Sequence, residues 1–132
     1  MPTAEFGVDR ASPRRARAFV SRLLSAHDVP DDATEIAVLL VSELVTNAVL
    51  HARTTCAVSV EVDDSGLVRV AVHDGSSTRP RLRRPHHGAA TGRGLVYVDR
   101  LARRWGSTPS PHGKTVWFEL EPTATFGGAR AE

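Results

Sequence analysis

The hydrophobic pattern of this chain changes period once, near Arg53. Before that point apolar residues recur at i, i+3 and i+4, the spacing that keeps one helix face buried. After it they alternate one in two, as in a half-buried strand. Ala16, Phe19, Val20, Leu23 and Leu24 set the helical register, with Ser12 and Pro13 reading as N-cap and first helical residue. Pro30 interrupts the pattern, and Asp32 with Glu35 forms an Asp variant of the capping box, opening a second helix to about residue 51. Cys56, Val58, Val60 and Val62 then alternate with small or polar residues. Asp63-Asp64-Ser65-Gly66 has turn composition, and Val68, Val70 and Val72 supply the return strand over 67–73. That is a β-hairpin. The sequence also predicts a short edge strand over 5–8 and a third helix, marked by Leu95, Val98, Leu101 and Ala102, that ends before Gly106. A loop over 109–113 and a last strand over 114–121, with Val116, Phe118 and Leu120 inward, complete the pattern.

Helix, helix, hairpin, long loop, helix and strand make an α+β chain: a two-layer α/β sandwich whose mixed, mostly antiparallel sheet carries its helices on one face. A length of 132 residues suits one domain, expected over 12–121, between an N-terminal segment 1–11 and a small-residue tail 122–132 expected to be disordered. No uninterrupted apolar run approaches the ~18–20 residues that cross a bilayer. Residues 1–10 have no secretory apolar core, and Cys56, the one cysteine, cannot form an internal disulfide. A cytoplasmic protein without membrane contact is expected. Of 17 basic residues all but Lys114 are arginine, and a net charge of +2 is too small to argue for direct nucleic-acid binding.

The second helix carries an anomaly. Ile36, Leu39, Leu40, Leu44 and Leu50 fall on one arc, Val38, Val41, Val45 and Val49 on another, and Glu35, Ser42 and Thr46 form the solvent stripe. Glu43 and Asn47 lie within the leucine arc, one turn apart, with His51 one turn further on. Inward polar groups are costly unless satisfied. One account is a buried hydrogen-bond network, or a helix rotated so that Glu43 reaches the rim. The other is a general base, an oxygen ligand for a hard cation and a polar partner aimed into one cavity. Mg²⁺ on a nucleotide keeps several waters, so a single protein amide oxygen suffices for it. Asp74 ends the hairpin's second strand, where a carboxylate can accept from an adenine-type amino group or merely close an Asp-Gly turn. Gly92-Arg93-Gly94 precedes the third helix, a place where backbone can approach a phosphate beside free helix N–H groups. His86, His87 and His112 lack cysteine or carboxylate partners at metal-ligand spacing. The arginines at 79, 81, 83 and 84 lack the aromatic interleaving of a DNA contact.

The segments ELVTNAVLH (Glu43, Asn47, His51), Asp74, GRGL (Gly92, Gly94, Leu95) and GKTVW (Gly113, Thr115), in that order, resemble the Bergerat-fold ATPases, the superfamily of gyrase, histidine kinases and heat-shock chaperone ATPases. Within it the chain looks most like the anti-sigma-factor serine kinases and the single-domain ATP-binding regulators of actinobacteria. The resemblance runs from about residue 12 to 120. It implies ATP and Mg²⁺ as ligands, Glu43 as the general base, Asn47 as the Mg²⁺ ligand and Asp74 as reader of the adenine amino group. It further implies Gly92 and Gly94 closing on the phosphates, His51 and Leu95 in the nucleotide site, and Thr115 backing the adenine contact through Asp74 or a water. The implied partners are an antagonist protein phosphorylated on serine, a sigma factor and a second copy of the chain. Ser76 stands where the family's Asp-x-Gly has its glycine, and the loop over 75–91 is short for a full lid. Nucleotide binding is therefore better supported than phosphoryl transfer, and an ATP-binding sequestering module without chemistry is the alternative.

Overall fold

The computed structural model describes residues 2–76 and 98–126. In chain order these form β1 (Thr3–Phe6), α1 (Ser12–Ala26), α2 (Asp31–Thr46), β2 (Cys56–Val62), β3 (Val68–Asp74), β4 (Arg104–Ser110) and β5 (Gly113–Leu120), with α2 running on into a π-helical turn, Asn47–His51. The strands make one sheet in the order β1-β2-β3-β5-β4. Every neighbouring pair is antiparallel, so no parallel pairing of the expected mixed sheet occurs among the described residues. Alternation does the sorting. Val58, Val60, Val70, Val72, Val116, Phe118 and Leu120 turn one face inward and are buried. Against that face α2 lies over β3 and β5, while α1 packs on α2 and reaches β1 and β2. This is the expected α+β two-layer arrangement.

Several boundaries differ from the sequence reading, each for a local reason. Ser12 does not cap α1. It is buried, and its hydroxyl donates to the Gly7 carbonyl at 2.7 Å, while Asp9 Oδ1 accepts from the Ala11 N–H at 2.7 Å. Residues 2–11 are thus part of the domain, with β1 paired to β2 two residues earlier than expected. α2 begins after Pro30 with no side-chain cap, and Asp31 and Asp32 place negative charge in its first turn, where the helix dipole favours it. The 21 residues Asp31–His51 are long and apolar enough to cross a membrane, an 18-residue window within them having mean hydropathy 1.6, although half of that window is buried within the domain. The sequence reading missed this because it sought an uninterrupted run, and isolated polar residues barely lower a window average. The tail does not leave the body at 122: Pro122 packs against Gly66 and Ala124 is buried.

β4 was not anticipated at all. Residues 98–101 are helical as expected, but 104–110 pair with β5, where the sequence predicts a helix running to just before Gly106 and a loop from 109. β4 is an edge strand, so Pro109 costs no ladder bond on its open side. Gly106 lies opposite Trp117, close enough that an added Cβ would fall 2.7 Å from the ring. Trp105 faces the core and donates from Nε1 to Asp99 Oδ1 at 3.1 Å, tying the strand to the helical turn before it.

On the sheet face away from the helices, Glu119 is buried and holds two arginines. Arg69 Nη1 reaches Oε2 at 2.8 Å, and Arg104 Nε reaches Oε1 at 3.0 Å. Arg69 also lies 4.2 Å from the Trp117 ring centroid, a cation–π distance. The hydrogen bond from Arg104, seconded by Arg69 and opposed by burial, holds the Glu119 carboxyl below its ordinary value of 4.5. A depressed folded-state pKa contributes stability above the unfolded value and loses it as pH falls through the folded one. We therefore expect urea stability to decline as pH drops below about 4.5, and Glu119→Gln to flatten that decline. Equal acid slopes for the two proteins would remove this assignment.

Candidate functional site

β3 ends on Asp74. Its register pairs Asp74 with Cys56 of β2 on one side and with Lys114 of β5 on the other, which sets the three side chains in a row on the helix-facing side of the sheet. Asp74 is 5% exposed. Lys114 Nζ donates to both its oxygens, at 3.0 Å to Oδ1 and 2.9 Å to Oδ2, and the Ser76 N–H donates to Oδ1 at 2.8 Å. The lysine side chain itself is only 13% exposed. Beneath the pair β5 begins at Gly113, whose Cα approaches the Asp74 carbonyl so closely that no Cβ would fit. Burial first, and the Asp74 charge second, push the Cys56 thiol up to about 11. A thiol protonated to that degree is no nucleophile at neutral pH, consistent with a core cysteine.

Thr54 joins this strand end to the end of α2. Its N–H donates to the Ala48 carbonyl at 3.0 Å, and its Oγ1 accepts from the Gly75 N–H at 3.3 Å. Ala48 lies in the π-helical turn, where the Ala52 N–H reaches back to the Asn47 carbonyl at 2.8 Å. Such widened turns recur at functional sites because they re-aim side chains.

The buried face of α2 runs through Ala33, Ile36, Ala37, Leu40, Val41, Leu44 and Val45, then Ala48 and Val49. Its centre lies between the two arcs read from the sequence. Glu43 and Asn47 consequently sit half-buried at the rim of this face, not in its middle, while His51 and Leu50 are exposed. The structure therefore keeps Glu43 and Asn47 one turn apart on a shared edge, with Asp74 joined to that helix end through Thr54. It does not bring in Thr115. Thr115 faces the opposite side of the sheet, where its hydroxyl meets His73 Nδ1 at 3.0 Å. Gly92, Gly94, Leu95, His86, His87 and the arginines at 79–84 lie outside the described residues.

Lys114, Thr54 and the π-helical turn were not singled out from the sequence. Lys114 did carry a signal: with Val116, Phe118 and Leu120 inward, strand alternation puts residue 114 inward and residue 115 outward. For Mg²⁺ the donor set fits a nucleotide-borne ion. Asn47 offers a half-buried amide oxygen, and among the described residues no three His, Cys, Asp or Glu side chains converge as a cage. A hard cation there would take its remaining ligands from phosphates and water.

Residues 7–120 match the sequence profile of the histidine kinase-like ATPase domain. No curated protein matches the chain by sequence. Among solved structures, the RsbU and RsbW domains of Rv1364c from Mycobacterium tuberculosis superpose with a TM-score of 0.66 at 18% identity, over 92% of this chain and 32% of that one. The blue-light activated histidine kinase of Erythrobacter litoralis EL346 gives a TM-score of 0.54 at 27% identity, over 70% of this chain and 31% of that one. Its isolated histidine kinase domain gives 0.52 at 19% identity, over 83% and 59%. The chain thus spans about a third of the length of the first two.

Proposed function

The chain belongs to the histidine kinase-like ATPase domain family, and from that premise we propose that it is an ATP- and Mg²⁺-binding regulatory kinase of the anti-sigma type, acting on a serine of an antagonist protein and capturing a sigma factor. The RsbW domain among the structural relatives supports the type of kinase. The observation that carries the nucleotide site is the shared rim of Glu43 and Asn47, linked through Thr54 to a buried carboxylate at a strand end. A second copy of the chain and a cytoplasmic location belong to the same proposal.

In this reading Asp74 accepts from the adenine amino group and Asn47 supplies the amide oxygen for Mg²⁺. Held by Asn47, Mg²⁺ would supply neutralisation of the phosphate charge. Glu43 orients the acceptor hydroxyl and takes its proton as the new oxygen–phosphorus bond forms and ADP leaves. A carboxylate at the rim, and not deep in the core, is where a protein substrate can bring that hydroxyl. The family resemblance assigns Gly92 and Gly94 to the phosphates and Leu95 to the nucleotide site, and His51 lies at the outer end of the helix that carries Glu43 and Asn47. Such catalysis rests on positioning and charge, which a small domain can supply.

Calorimetric titration of ATP with and without Mg²⁺ tests the site. Asn47→Ala is expected to cost about tenfold or more in Mg²⁺-dependent affinity, the worth of one charge-assisted contact. Glu43→Ala is expected to leave ATP binding intact and to abolish label transfer from γ-labelled ATP to the antagonist serine. Transfer undiminished in Glu43→Ala would reject its role as base. Absent transfer in the wild type, with ATP-dependent partner binding preserved, would leave a sequestering module.

A further inference from the structure

Lys114 is the one lysine among 17 basic residues, and it stands 2.9–3.0 Å from both oxygens of the buried Asp74. An ammonium has three protons, and two of them are committed to the carboxylate. The third has no acceptor among the described residues. On the carboxylate, Oδ1 already takes the Ser76 N–H and Lys114, whereas Oδ2 takes, among the described residues, Lys114 alone. The pair therefore retains one acceptor lone pair and one donor proton. That is the complement of the adenine edge, whose amino group donates and whose neighbouring ring nitrogen N1 accepts.

We propose that Lys114 is a base-reading residue: Asp74 accepts from the adenine amino group while Lys114 Nζ donates to N1, the two acting as one recognition edge. This rests on the nucleotide site proposed above. Dissolving the pair so that Asp74 acts alone would strand a largely buried ammonium, a cost that reading the base as a pair avoids. A compact ammonium on a flexible stem fits this task. A guanidinium would fill the space with a planar fork of five donors, most of them without an acceptor here. Thr115, on the other face of the sheet, is not placed to serve N1.

The experiment compares Mg²⁺-ATP with Mg²⁺-1-deaza-ATP, which replaces N1 by C–H and keeps the amino group. Both are titrated into wild-type protein and Lys114→Met, with a thermal melt of each protein. The expected result is a wild-type preference for ATP of about tenfold or more, erased in Lys114→Met because only ATP binding weakens. Equal wild-type affinities for the two nucleotides overturn the proposal without any variant. So does Lys114→Met binding ATP as tightly as wild type or tighter, which would make the lysine a competitor for Asp74. Equal losses for both nucleotides in the variant reduce Lys114 to a structural partner and likewise overturn it. Should Lys114→Met fail to fold, Lys114→Arg keeps the charge and displaces the donor. It should narrow the preference, and an unchanged ratio rejects the proposal. If the wild type binds neither nucleotide, the ATP site itself is refuted and this inference falls with it.

Discussion

Gly113→Ala is expected to lower stability by about 3 kcal/mol and to abolish ATP binding, although residue 113 carries no functional group. The glycine has a φ of +154°, and an added Cβ would collide with the Asp74 carbonyl oxygen. It would also fall 2.8 Å from the Asp74 carbonyl carbon and 2.9 Å from Gly75 Cα. All three are backbone atoms of the adjacent strand, so no rotamer change relieves the contact. Relief requires β5 to move off β3 at the end where Lys114 meets Asp74. Gly106→Ala is the control. Its Cβ would meet the Trp117 ring, a half-buried side chain and not backbone. Urea melts and ATP titrations of both variants decide the matter. Gly113→Ala unfolding at the wild-type midpoint would show that the strands separate there at no cost.

Much of the fold was legible because burial leaves a period. β2, β3 and β5 each bury one face, and their valines alternate accordingly. Among the described residues β4 has only one neighbouring strand, and its side chains are mostly exposed, so its RWGSTPS carries no alternation to detect. What holds it in place is non-local: Trp117 lying over Gly106, Trp105 reaching Asp99, and Arg104 reaching Glu119. The helix starts misled for a related reason. Ser12 and Asp32 fit capping patterns, but Ser12 found the Gly7 carbonyl, a contact set by where β1 lies. Local chemistry proposes a partner and tertiary packing chooses among those offered.

The site divides along the same line. Glu43 and Asn47 were visible because they break an apolar helix, and the structure keeps them on one edge. The leucine arc alone would set them in the middle of the buried face; Ala33, Ala37, Val41 and Val45 shift that face and leave them at the rim, the other placement the sequence allows. The π-helical turn that carries His51 has no sequence period to announce it. Assigning Thr115 to the adenine followed the resemblance against the strand's own alternation. The inward positions of β5 already pointed to Lys114.

Asp74→Ala is expected to eliminate ATP binding and also to cost about 3–5 kcal/mol, because it leaves the Lys114 ammonium largely buried with no counter-charge. These two losses have different origins and separate in the double variant. Asp74→Ala with Lys114→Met removes both charges, and replacing a buried pair by apolar groups is often neutral, so most of the stability should return. ATP binding should not return, since neither the acceptor nor the donor of the base edge survives. Chemical melts and nucleotide titrations of wild type, both single variants and the double variant give a complete cycle. A double variant no more stable than Asp74→Ala would mean that the loss in Asp74→Ala does not come from the stranded ammonium. Asp74→Ala binding ATP at wild-type affinity would move the nucleotide base elsewhere in the fold. Recovery of stability without recovery of binding is the result that separates the role of Asp74 in recognition from its role in stability.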